Sequence, residues 1–118
     1  MSFEEEDVVT YTPEADDNRY QEQPWSVNLV PMTAAEQRKY LMTVSSAKDG
    51  AQKAKQANQI LARIFKERVI SVHNLKDIRG REITTGEELF ERSETEYIDE
   101  IWAALTKASQ LRGGLKND

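Results

Sequence analysis

The chain has 118 residues, of which 38% are hydrophobic and 31% charged, and its formal net charge is −5. This length predicts one domain with a modest core, and the charged fraction predicts segments that stay solvated or become ordered against a partner. The sequence contains no cysteine, which excludes disulfides, thiolate catalysis and thiolate metal sites. The apolar runs are far shorter than the roughly 20 residues that cross a bilayer, and the start is acidic rather than signal-like, so we expect a cytosolic protein.

Charge is segregated along the chain. Residues 1–22 have a net charge of −7, residues 38–81 of +8, and residues 82–100 of −7. Blocks of opposite sign suit head-to-tail association between copies, or an acidic arm folded over a basic middle. The alternative interpretation is that the blocks are only solvated helix faces.

The N-terminal part predicts extended structure. Residues 1–22 have no sustained period and indicate an acidic arm, extended or flexible, ahead of a helical domain over 23–118. Residues 8–11 are a candidate strand within this arm. A second candidate strand contains Trp25, Val27 and Leu29, which alternate with polar residues as in a half-buried strand. A turn at 16–18 can join the two strands into a hairpin that needs helices to pack on.

Two helices are predicted in the middle of the chain. Thr33 and Glu36 have the spacing of a capping box and start the first helix, at about 34–46. The second helix is predicted over about 51–71, after a break at Gly50. Their apolar stripes are Tyr40, Leu41 and Val44 in the first helix, and Ile60, Leu61, Ile64, Phe65, Val69 and Val72 in the second.

The last third predicts a connector over 73–84 and two further helices. Capping boxes at 85–88 and 93–96 begin a short helix and a final helix over about 94–111, and Gly113 and Gly114 predict its end. The predicted fold is therefore mainly α, with three to four helices, a short N-terminal strand or hairpin, and the acidic arm. The apolar face of the final helix consists of Tyr97, Ile98, Ile101, Trp102, Leu105, Ala108 and Leu111.

The sequence predicts no catalytic, cofactor or metal site. His73 is the only histidine, and although Asn74 and Asp77 are near enough in sequence to orient it, a lone loop histidine is more often structural. The carboxylates lie at helix starts and in the arm, where capping and solubility explain them, and no pair has the apolar setting that acid–base catalysis needs. The glycines match no phosphate-binding fingerprint. We therefore expect no enzyme, no cofactor and no small-molecule substrate.

Protein binding is the remaining hypothesis. Trp25 lies in a short strand after an acidic arm and could anchor an interface, because tryptophan is enriched among binding hot spots. The basic middle could meet an acidic surface of a neighbour; it could also meet nucleic acid, but no nucleic-acid-binding motif accompanies it and the whole chain is acidic. The candidate partner-binding residues are Trp25, Val27, Leu29, Lys53, Lys55, Arg63 and Lys66.

Several phrases resemble small proteins of tailed-phage structural gene clusters, above all the tail assembly chaperones of long-tailed phages. They are VNLVPMT at 27–33, VISVHNL at 69–75, IRGREITTGEEL at 78–89, IDEIWAAL at 98–105, ASQL at 108–111 and LKN at 115–117. The resemblance covers about 27–117 and consists of hydrophobic patterns rather than a signature.

The resemblance implies a non-enzymatic role: coating the tape-measure protein and recruiting tail-tube subunits in the host cytoplasm, with self-association into an oligomer as an option. The same gene neighbourhood also encodes head-completion, neck and capsid-stabilising proteins, so a structural component of the virion is the alternative. A nucleic-acid-binding regulator that uses residues 38–81 is the third hypothesis.

Overall fold

A three-stranded antiparallel sheet joins the N-terminal region to the middle of the chain, in the residues that the computed structural model describes, 8–46 and 50–116. Its strands are β1, Val9–Tyr11; β2, Ser26–Leu29; and β3, Val69–His73. Strand β2 lies in the centre, and its Val27 is opposite Tyr11 on one side and Val72 on the other. The predicted pairing of the two N-terminal strands is confirmed. The pairing of β2 with β3 contains a β-bulge, where the register shifts between Asn28 and Leu29.

The segment between β1 and β2 folds back onto the chain. It contains a 3₁₀ segment, Ala15–Tyr20, in which Asp16 and Asp17 both have a φ of 56°. Aspartate tolerates this left-handed backbone better than most residues do. From residue 8 onward the expected arm is part of the fold, because β1 pairs with β2 and because the Tyr11 hydroxyl and the backbone N–H groups of Glu14 and Ala15 donate to Glu100. Residues 1–7 of the arm lie outside the described residues.

Two helices follow β2: α1, Ala34–Ser46, and α2, Gly50–Arg68. The predicted capping box starts α1, since the Glu36 N–H donates to the Thr33 hydroxyl at 3.1 Å and the Thr33 N–H donates to the Glu36 carboxylate at 3.2 Å. The same carboxylate forms an ion pair with Arg68, which ties the end of α2 to the start of α1.

The chain changes from helix to strand at Val69, whereas the sequence predicted a helix to about residue 71. Val69, Ile70 and Val72 are β-branched and favour extended backbone, and pairing with β2 buries Val69 and Val72. Because Val69 and Val72 are three residues apart, they also fit the apolar stripe of a helix. The sequence pattern therefore predicted a helix that extends past the observed end of α2.

The connector predicted over 73–84 contains a second, two-stranded antiparallel sheet, formed by β4, Leu75–Lys76, and β5, Glu82–Ile83. Gly80, with a φ of 80°, lies in the turn between them, where the sequence predicted one. The Asp77 carboxylate accepts hydrogen bonds from the backbone N–H groups of Arg79 and Arg81, both at 2.9 Å, and holds this turn closed.

Helix α3, Gly86–Arg92, starts with the predicted capping box between Thr85 and Glu88. The box predicted at 93–96 is not formed. The Ser93 hydroxyl donates instead to the carbonyl of Leu89 at 2.7 Å, so Ser93 ends α3 rather than starting the next helix.

The final helix, α4, spans Thr95–Lys116 and continues through Gly113 and Gly114, where the sequence predicted its end. Glycine permits a left-handed helix stop but does not require one. The predicted apolar face is correct at Ile101 and Leu105, which are fully buried. The side chain of Leu111, like that of Val44 in α1, lies outside the described residues.

One apolar core lies between the larger sheet and helices α2, α3 and α4. The prediction of a mainly helical chain holds, but the described residues also form small antiparallel sheets of three and two strands, so the fold is an α/β domain. The buried members of the core are Trp25, Val27, Leu29, Met32, Ile64, Phe65, Val69, Val72, Ile83, Leu89, Ile101 and Leu105.

Candidate functional site

The three residues of the β2 region that were predicted to bind a partner lie inside the protein. Trp25 is 5% exposed, and Val27 and Leu29 are fully buried. The Trp25 ring packs against Tyr97 of α4, with the ring centroids 5.1 Å apart. The predicted strand is correct, but helices of the same chain cover its apolar side. These residues therefore build the core, which corrects the prediction that they contact a partner.

The four basic residues predicted to bind a partner are all exposed on α2, but they do not form one surface. An α-helix turns about 100° per residue, so Lys55 and Lys66 project on nearly the same side, while Arg63 lies about 60° and Lys53 about 140° away from Lys66. Arg63 and Lys66 line a concavity. The structure thus divides the predicted basic set into a pair in a groove and two residues nearer the start of α2.

That groove lies between α2 and α3 and has a volume of about 490 Å³. It depends on Gly86, because a Cβ at this position would lie 2.0 Å from the carbonyl oxygen of Phe65 and 2.6 Å from that of Val69. Only glycine lets α3 begin in direct contact with the end of α2. Beneath the groove, Phe65 packs on Phe90 at 5.2 Å between ring centroids. The lining residues are Ala62, Arg63, Lys66, Glu67, Glu87, Phe90 and Glu91.

The walls of this groove carry opposite net charges, since Glu67 on the α2 wall offsets only one of its two cations. Arg63 and Lys66 stand on α2, while Glu87 and Glu91, one helical turn apart, stand on α3. Among the described residues, none of these four forms an ion pair, whereas Arg68 pairs with Glu36, and Arg92 with Glu88 and Asp77. The groove therefore presents solvated charges of both signs. Nucleic acid would meet the three carboxylates of Glu67, Glu87 and Glu91 beside the two cations, which argues against a phosphate-binding surface here.

Helix α1 exposes apolar side chains. Leu41 is 61% exposed and Met42 is 70% exposed. The predicted stripe of α1 is correct at Tyr40, whose ring packs on Trp102 of α4 with centroids 5.1 Å apart. It is wrong at Leu41, because the contact through Tyr40 turns the neighbouring side chain to solvent. Leu41 and Met42 thus form an apolar patch on the surface of α1.

His73 belongs to a polar row on the outer face of the larger sheet. The Thr10 hydroxyl donates to Asn28 Oδ1 at 2.8 Å, Asn28 Nδ2 donates to Ser71 Oγ at 2.9 Å, and Ser71 Oγ lies 3.0 Å from His73 Nε2. Neither Asn74 nor Asp77 contacts the imidazole within the described chain. Cross-strand pairing explains the row.

The Glu100 carboxylate of α4 fastens the N-terminal segment to the fold. It accepts hydrogen bonds from the Tyr11 hydroxyl at 2.7 Å and from the backbone N–H groups of Glu14 and Ala15 at 2.6 and 3.0 Å. Burial raises the pKa of Glu100, but these three hydrogen bonds outweigh it and hold that pKa below its usual range. The carboxylate stays ionised at neutral pH and keeps the segment attached.

The buried side chain of Asn18 also holds this N-terminal segment in place. It is 4% exposed, its amide donates to the carbonyls of Pro13 and Trp25, and its Oδ1 accepts from the Trp25 N–H, each at 2.9 Å. This one side chain satisfies three backbone groups and fixes the position of Trp25.

Alkaline pH is expected to loosen this attachment. Burial and the Glu100 contact raise the pKa of Tyr11 to about 12, and the hydrogen bond to Asp16 together with burial raises the pKa of Tyr97 to about 12, from 10.0 for a free tyrosine. A raised tyrosine pKa stabilises the fold below pH 10, and that contribution is lost as the pH rises from 10 to 12. Thermal unfolding followed by circular dichroism should show the melting temperature falling across this interval.

The double variant Tyr11→Phe/Tyr97→Phe is the control for the pH effect. It lacks both phenols, so it should be less stable at neutral pH and show a shallower decline between pH 10 and pH 12. An equally steep decline in the double variant would mean that other groups cause the loss of stability.

Comparison with protein-family models, with curated proteins and with solved structures gave no match. Among the residues that the structure describes, no helix combines the length and apolar character needed to cross a bilayer. Two surfaces of the chain are candidate binding sites: the patch on α1 and the groove between α2 and α3.

Proposed function

We propose that the protein is a non-enzymatic phage assembly protein that binds other phage structural proteins as a tail assembly chaperone does. The observation that carries the proposal is the neighbouring exposure of Leu41 and Met42 on α1. Exposed apolar side chains that adjoin one another are typical of protein interaction sites. Methionine adapts its shape to different apolar surfaces, which suits a protein that holds a client during assembly.

The resemblance of residues 27–117 to tail assembly chaperones supports the choice of client. The clients proposed are the tape-measure protein and the tail-tube subunit, bound in the host cytoplasm during assembly. The alternative role in the virion would use an ordered acidic arm that reaches a neighbouring subunit. Residues 8–22 instead contact their own chain, through Glu100 and Asn18, which favours the chaperone role.

Co-expression with each client tests the proposal. The wild-type chain should give a soluble complex with the tape-measure or tail-tube protein of the same gene cluster. The double variant Leu41→Ser/Met42→Ser should stay folded, because both side chains are exposed, and should bind at least about tenfold more weakly, from a loss of roughly 1 kcal/mol or more per side chain. Affinity is measured by calorimetry on the purified proteins.

Ile78→Ser is the matched control, since Ile78 is fully exposed in the turn between β4 and β5, away from α1. It should bind as the wild type does. Failure of the wild type to bind either client would refute the proposed function, while full binding by the double variant would refute only the α1 surface. Stoichiometric amounts of the protein in finished particles, measured by mass spectrometry, would replace the chaperone role with the structural one.

A further inference from the structure

We infer that the groove between α2 and α3 is the contact surface between two copies of this chain, related by a two-fold axis. The inference does not depend on the proposed function, which uses α1. It rests on how the charges of the groove are placed.

The α2 wall of the groove is net positive, because it carries Arg63, Lys66 and Glu67, and the α3 wall is negative. Arg63 and Lys66 are three residues apart on α2, and Glu87 and Glu91 are four residues apart on α3, so each pair projects from one side of its helix. All four side chains are exposed, and none of them has an ion-pair partner within the described chain. Arg68 of α2 and Arg92 of α3 do form ion pairs, and neither lines the groove.

A second copy is the occupant that satisfies both walls. In a two-fold contact, the same surface of each copy is used. When the axis runs along the groove, the α2 wall of one copy faces the α3 wall of the other, and the reverse. Arg63 and Lys66 of each copy then lie opposite Glu87 and Glu91 of the other copy, so the same set of contacts forms twice. A uniformly acidic or basic partner would be attracted by one wall and repelled by the other.

The floor of the groove supplies an apolar contact at the centre. Ala62 and Phe90 are partly exposed there, and Phe90 is held in place by Phe65 behind it. Partly exposed aromatic side chains surrounded by charged residues have the usual arrangement of an interface centre and its rim. The charges set the orientation of the two copies.

Charge reversal tests this arrangement. Variant A carries Arg63→Glu and Lys66→Glu, which makes both walls acidic. Variant B carries Glu87→Lys and Glu91→Lys, which gives both walls a net positive charge, although Glu67 remains on α2. Sedimentation equilibrium on the full chain should find the wild type as a dimer and each variant alone as a monomer, with dimer affinity at least about tenfold lower. Mixing A with B should restore a mixed dimer, because each wall again faces its opposite.

A third variant shows whether a loss of dimerisation comes from the interface charges or from a loss of folding stability. Variant C combines all four substitutions, so its walls have exchanged signs, and it should dimerise as the wild type does. Circular dichroism checks that A, B and C keep their helices. The double variant Lys76→Glu/Lys107→Glu is the control. It changes the net charge by the same amount as variant A, but at exposed positions outside the groove, and it should leave the dimer unchanged.

Three results would overturn the inference. The first is a wild-type chain that stays monomeric. The second is that variants A and B, although folded, dimerise as tightly as the wild type. The third is that the mixture of A and B fails to associate and variant C, tested separately, also fails. High salt should weaken the wild-type dimer, since the interface charges lie at its solvated rim.

Discussion

Replacing Gly86 with alanine should lower the free energy of unfolding by about 3 kcal/mol or more, which is a large part of the stability of a small domain. The added methyl group would lie 2.0 Å from the carbonyl oxygen of Phe65 and 2.7 Å from Cβ of Val69. Both contacts are to the rigid end of α2 and the start of β3, so α3 has to move away as a whole. Urea unfolding followed by circular dichroism measures the loss.

Gly50→Ala is the control for this experiment. Gly50 also lies in a helix, but apart from its chain neighbours and the backbone of its own helix, no heavy atom of the described residues lies within 4 Å of an added Cβ. The substitution should change stability by less than about 1 kcal/mol, in the stabilising direction, because alanine is the better helix former. Equal stability of Gly86→Ala and the wild type would show that α3 does not depend on this close approach.

Replacing Asn18 with alanine should cost about 3–5 kcal/mol. The substitution leaves the carbonyls of Pro13 and Trp25 and the N–H of Trp25 without their partner in a buried site, and each such group costs roughly 1–3 kcal/mol. Trp25 should lose its fixed environment, so near-ultraviolet circular dichroism and tryptophan fluorescence should change together with the unfolding midpoint.

Asn18→Asp has nearly the same shape and tests whether hydrogen bonding is the cause. It keeps an acceptor for the Trp25 N–H but places a carboxylate oxygen against two carbonyls, so it should be at least as unstable as the alanine variant at neutral pH. Part of the loss should be recovered in acid, relative to the wild type at the same pH, when the carboxyl protonates and can donate. Asn58→Ala, at an exposed position of α2, should change little. Wild-type stability in Asn18→Asp at neutral pH would exclude this role of the amide.

Features encoded within a few residues could be predicted from the sequence. The capping boxes at Thr33 and Thr85, the alternation of the β2 region and the turn at Gly80 all depend on contacts between near neighbours. The box at Ser93 failed because its hydroxyl had a competing acceptor, the Leu89 carbonyl of the preceding helix. Local patterns specify helix and strand starts, but not the choice between two local hydrogen bonds.

Features that join distant segments could not be predicted. Glu100 looked like an ordinary acid in the first turns of a helix, yet its partners are 85 to 89 residues away. Trp25 could equally face a partner or the core until Tyr97 was placed beside it. The spacing of Glu87 and Glu91 was visible in the sequence, but only the contact at Gly86 sets them opposite Arg63 and Lys66.

The position of β2 at the centre of the sheet affects how the protein can fold during synthesis. The Asn28 side chain of β2 donates a hydrogen bond to the Ser71 hydroxyl of β3, which lies 43 residues later, and helices α1 and α2 lie between them in the chain. As the chain leaves the ribosome, β1 and β2 emerge before any element that covers the apolar side of Trp25, Val27 and Leu29. An isolated two-stranded hairpin is only marginally stable in water. The N-terminal third therefore has no stable partial structure of its own, and the sheet, with the core beneath it, is completed only after synthesis has passed β3 and reached α4.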